Sequence, residues 1–141
     1  MVAVKATDVR KQWSSVVDSV VREKPAFITR TRDTMLLTNL DLIENILKVY
    51  TFSAKKYPEE DGSITLSLNE IDLVANGSDE ASARHNLAEN IYEYANEYYN
   101  EFSFWSKAAN RKNHIPYVIK ALIIDDINKL EEQIVCLDGK N

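Results

Sequence analysis

The chain has 141 residues, 45% hydrophobic and 28% charged, with a net charge of −5 at neutral pH. That composition supplies one ordinary core or two small ones and excludes a disordered chain. No apolar run approaches the roughly 20 residues that cross a bilayer, and the N-terminus lacks the pattern of a secretory leader. With Cys136 as its one cysteine and no internal disulfide open to it, the chain is expected to be cytoplasmic, with no membrane partner.

The charge is unevenly spread: residues 1–50 carry eight Lys/Arg and six acids, whereas residues 51–141 carry nine Lys/Arg and sixteen acids. A basic end can meet phosphate while an acidic end repels it or meets a basic partner, which predicts two domains, 1–50 and 51–141, with separate roles.

In chain order, Val2–Lys5 reads as a short strand. Thr7 is the expected N-cap of a first helix, with Asp8 in its first turn. Val9, Trp13, Val16, Val17, Val20 and Val21 recur at helical spacing until Pro25. Phe27–Arg30 and Met35–Thr38 read as a hairpin turning through Arg32, Asp33 and Thr34. Thr38 or Asn39 then caps a helix with the stripe Leu40, Ile43, Ile46, Leu47 and Tyr50.

The second half restarts with Phe52–Tyr57 and Ser63–Leu68 around Pro58-Glu59-Glu60-Asp61-Gly62, whose Asp-Gly marks a turn. Ile64, Leu66 and Leu68 alternate with polar residues, so one face is apolar. A short segment, Ile71–Ala75, leads to Asn76-Gly77. Ser78 is the expected cap of a long helix with the stripe Leu87, Ala88, Ile91, Tyr94, Ala95, Tyr98, Phe102 and Trp105. Residues 110–116 read as a loop, and Tyr117–Ile124 and Asp126–Val135 as closing helices. The fold class is therefore α/β of the α+β type: a β-α-β-β-α unit, then a β-hairpin and a long helix.

Little in the chain suggests catalysis. Three glycines, at 62, 77 and 139, make no phosphate cradle. His85 and His114 have no second ligand at metal spacing, so no cofactor and no metal are expected. Glu59, Glu60 and Asp61 read as a solvated turn. Tyr94, Tyr98, Tyr99 and Trp105 crowd a helix that also carries Glu89, Glu93, Glu97 and Glu101. The carboxylates disfavour nucleic acid, leaving a packed stripe or a protein-binding surface. Lys5, Arg10, Lys11, Arg30 and Arg32 are the candidate DNA-binding residues, since arginines and helix N-termini suit phosphate and arginine also reads guanine.

Residues 4–47 resemble the Phd/YefM antitoxin family. The resemblance is carried by Ala6-Thr7-Asp8-Val9-Arg10-Lys11, Pro25-Ala26-Phe27-Ile28-Thr29-Arg30, the strand Met35–Leu37 and the helix start Asn39–Leu42; Asp33 stands where that family usually has glycine. It implies a dimer whose strands pair across the two-fold, with Arg10 and Arg30 at operator DNA; Lys5, Lys11 and Arg32 are added from charge and proximity. Most members end in a short tail that folds on the toxin. Here residues 52–105 instead resemble a HicB-type antitoxin domain, through Tyr57–Gly62, Ile64–Leu68, Gly77–Ala83 and Leu87–Tyr94. Such domains have a degraded ribonuclease-H-like form and act by occupying a toxin.

The expected function is thus a type II antitoxin: a homodimer or higher homo-oligomer that neutralises a cognate toxin by direct binding and represses its own operon. The alternatives are a solitary regulator whose second half binds a ligand or self-associates, and a metal-dependent nuclease using the acidic residues. A small basic reading frame beside this one favours the antitoxin over the solitary regulator.

Overall fold

A computed structural model describes residues 1–138 and divides the chain into two compact units, Met1–Ile46 and a second beginning at Leu47. The division falls four residues before the expected start at 51.

The first unit runs β1 (Ala3–Lys5), α1 (Ala6–Lys11), α2 (Trp13–Arg22), β2 (Ala26–Arg30), β3 (Asp33–Leu37) and α3 (Leu40–Ile46). Its sheet has the order β1-β2-β3, with β1 parallel and β3 antiparallel to β2. The expected first helix is two helices. The backbone breaks at Gln12 (φ −120, ψ 35), whose N–H closes α1 on the carbonyls of Asp8 and Val9. Thr7 lies inside α1 and is not its cap, because the extended backbone of β1 runs to Lys5 and the helix follows with no linking residue. The hairpin turns through Thr31 and Arg32, since Asp33 already pairs with Arg30. Thr31 sits at φ 54, left-handed backbone that a β-branched residue rarely adopts. Asn39 caps α3 as expected, its side-chain oxygen accepting from the Leu42 N–H at 3.1 Å.

Packing in this unit is thin. Val9, Val20 and Ile28 are its buried hydrophobics, and no residue of α3 is buried. Leu40 and Ile46, expected in the core, are 58% and 57% exposed, and Trp13 and Val21 lie open too.

The second unit begins with a 3₁₀ turn (Leu47–Val49). It continues with β4 (Phe52–Pro58), β5 (Ile64–Leu68), β6 (Val74–Gly77), α4 (Glu80–Asn100), α5 (Phe102–Trp105), a second 3₁₀ turn (Lys112–His114), α6 (Ile115–Ile124), α7 (Ile127–Gln133) and β7 (Ile134–Asp138). The sheet order is β6-β5-β4-β7: β4 to β6 form an antiparallel meander, and β7 returns parallel to β4. One face carries Phe52, Ala54, Leu66, Leu68, Ala75 and Ile134 into a core with Leu87, Ile91, Ala95 and Tyr98 of α4, Val118 of α6 and Leu130 of α7.

Four local expectations change here. Asp79, not Ser78, caps α4, its carboxylate accepting from the Ser82 N–H at 2.8 Å. Asn76-Gly77 ends β6; a Cβ at Gly77 would stand 2.3 Å from the backbone nitrogen of Ala83, so glycine is there for close approach. The long helix stops at Asn100, which puts Phe102 and Trp105 on α5, and Pro116 opens α6 where its missing N–H costs nothing. Ile134 and Val135, expected in a helix, lie in β7, because pairing with β4 outweighs the helical spacing of so short an apolar run. No described helix is long and apolar enough to cross a membrane.

Candidate functional site

The basic residues of the first unit gather through its topology. Because β1 and β2 are parallel with Lys5 beside Thr29, both strands end at one edge of the sheet. Lys5 and Arg30 stand at that edge and Arg32 in the adjoining turn. Arg10 and Lys11 fall in the last turn of the six-residue α1. They sit at the negative end of the dipole, where cations are stabilised. All five side chains are exposed, and among the described residues none is in an ion pair. Free cations on an exposed edge are available to an anion.

The same unit also carries an exposed apolar surface. β3 is an edge strand, paired to β2 on one side, and its Met35 and Leu36 are 50% and 45% exposed. With Trp13, Phe27 and Leu40 also open, this unit shows more large apolar side chains than it buries.

In the second unit the aromatic candidates form a network with a residue the sequence had not singled out. The Arg111 guanidinium lies 5.4 Å from the ring centre of Tyr94 and 5.1 Å from that of Trp105, and it donates to the Tyr94 hydroxyl at 3.0 Å. The Tyr94 oxygen stands 2.6 Å from Nδ1 of His114, and the Tyr98 hydroxyl donates to the Arg111 carbonyl at 2.9 Å. His114, read from sequence as a loop residue, is buried; burial first, and then the neighbouring Arg111 charge, push its pKa below 6.5. The ring is therefore neutral at pH 7. Tyr94 accepts from Arg111 and shares a hydrogen bond with Nδ1 of that neutral ring.

Of the four aromatic candidates, Tyr98 is fully buried, Tyr94 and Trp105 are partly buried in this network, and Tyr99 is 61% exposed. Phe104 is 64% exposed but had not been singled out. Arg111 gave no signal in sequence, because its partners lie 6 to 17 positions away.

The Glu59–Asp61 turn is exposed. Asp61 accepts from the side chain and backbone of Ser63, which lowers its pKa, and this is ordinary turn chemistry. Among the described residues no three His, Cys, Asp or Glu side chains converge as a metal site would require.

Comparison with curated proteins returns no match. Among solved structures, the chain is similar to a protein of Syntrophomonas wolfei subsp. wolfei described as "an antitoxin part of a putative toxin/antitoxin system". The two share 34% identity over 98% of this chain and 99% of that one, with a TM-score of 0.91. A family profile described as "PHD_like: Antitoxin of toxin-antitoxin, RelE / RelB, TA system" matches residues 1–136. With nearly the whole length matched, the chain belongs to this Phd-like family of antitoxins, and its partner is a toxin.

Proposed function

We propose that this antitoxin works as a homodimer that binds operator DNA through the basic edge of its first unit and holds its toxin by direct contact through its second. The observation that carries the reading is the first unit itself. Lys5 and Arg30 end neighbouring strands with Arg32 in the adjoining turn, Arg10 and Lys11 are exposed on α1, and the outer side of the edge strand β3 is open, with Met35 and Leu36 exposed. A second copy pairing along β3 covers Met35 and Leu36 and doubles the cationic edge about a two-fold axis. Two such edges suit a palindromic site, with binding driven by counterion release from phosphates. The Phd/YefM resemblance of residues 4–47 supports the same reading.

The second unit carries the acidic excess of the chain, which complements a basic toxin and speeds encounter. Its hairpin and long helix follow the order on which the HicB-type resemblance rests. The test is co-expression with the product of the adjacent reading frame, followed by affinity capture, sedimentation and a gel shift on the operon's own promoter. A captured complex, a dimeric antitoxin and a shift that weakens steeply with salt are expected. A monomer that leaves the promoter unshifted refutes the DNA-binding reading, and a toxin that fails to co-purify refutes direct neutralisation.

A further inference from the structure

The two edges of the second unit's sheet are finished differently. On β6, the Val74 and Asn76 carbonyls accept from the side chains of Asn90 and Asn86, one helical turn apart on α4, at 3.3 and 2.9 Å. Helix side chains thus occupy the polar groups that an incoming strand would need. On β7, Arg84 donates to the carbonyl of the first residue, Ile134, at 2.6 Å; among the described residues no side chain engages the backbone of Val135–Asp138. β7 pairs with β4 alone, and Val135 and Leu137, on the face away from α4, are 53% and 50% exposed. An open apolar edge beside a blocked one, in one sheet, marks a place for an added strand.

We infer that the toxin docks by adding an extended segment to β7, with alternate apolar residues beside Val135 and Leu137 and Lys or Arg at its ends. This rests on the reading that the toxin is held by direct contact. Charge selects the occupant. Glu132 just before β7 and Asp138 at its end are exposed, and among the described residues neither is in an ion pair. A segment with basic flanks neutralises both.

The test uses the full chain co-expressed with the product of the adjacent reading frame. In the wild-type complex, hydrogen exchange at 135–138 slows relative to free antitoxin, while exchange at 74–77 is unchanged. Leu137→Lys weakens the complex by about thirtyfold or more, as loss of a central apolar contact does. Glu132→Lys with Asp138→Lys weakens it by about tenfold, mainly through slower association. Circular dichroism of the free variants checks folding, and the exchange measurement on wild-type protein does not depend on them. A complex that forms with no added protection along β7 overturns the inference and leaves direct toxin contact standing. Failure of the wild-type pair to associate overturns both. Loss of antitoxin self-association in Leu137→Lys, with toxin affinity unchanged, assigns the edge to a second copy and also overturns the inference.

Discussion

Replacing Gly77 with alanine probes the closest helix–strand approach in the second unit. The added Cβ would lie 2.3 Å from the Ala83 nitrogen, 2.7 Å from the Ser82 carbonyl carbon and 2.8 Å from the Ala83 Cα, all backbone atoms with no rotamer to change. Ordinary contact begins at 3.4 Å, so β6 and the first turn of α4 must separate by about 1 Å around the fully buried Ala83. Overpacking of this kind costs ~1–3 kcal/mol, more where backbone must move, and the stiffer unfolded chain returns ~0.4–1 kcal/mol. The net expectation is a loss of about 2 kcal/mol. In urea, with an m-value of about 1 kcal/mol/M, the midpoint falls by about 2 M. Trp105 fluorescence in a Trp13→Phe background reports this unit alone. Gly62→Ala is the control: at φ +86 with nothing within 4 Å it meets no clash, and its cost is the left-handed backbone alone, about 1 kcal/mol. If Gly77→Ala costs no more than Gly62→Ala, the close approach is wrong.

Three further outcomes follow from the same geometry. Thr31→Gly relieves a β-branched residue at φ 54 and raises the stability of the first unit by about 0.5–1 kcal/mol, read by thermal denaturation; a loss would mean the turn is not left-handed. His114 has its folded pKa pushed below 6.5, so the unfolded chain binds the proton first. Stability is full above about pH 6.5 and falls as pH drops towards the folded value; His114→Gln should flatten that slope in urea titrations between pH 7 and 5. Arg10→Ala and Arg30→Ala should each weaken promoter binding and lower the salt slope by about 1 while leaving the circular dichroism unchanged; unchanged affinity in both removes these residues from the DNA surface.

Much of this molecule was legible in sequence because the signals were local. The Asp-Gly turn placed the β4–β5 hairpin, and Asn39 announced the start of α3. Each depends on neighbours within a few positions, where turn chemistry and helix capping act. The candidate cations were readable as residues, but the meeting of Lys5 with Arg30 at one edge was not, since it follows from the parallel pairing of β1 with β2 across 24 positions.

Tertiary structure decided the rest. The Ile134–Asp138 run fits a helix or a strand by pattern, and its pairing with β4, over 80 positions away, makes it the fourth strand. The need for Gly77 arises only when α4 packs against β6, and His114 looks like a loop residue until Tyr94 and Arg111 close over it. The apolar stripe of α3 marked a surface for burial, yet a unit of 46 residues has too little interior to take it in, so Leu40 and Ile46 lie exposed. Hydrophobic spacing states which side chains leave water; only the assembled chain states what covers them.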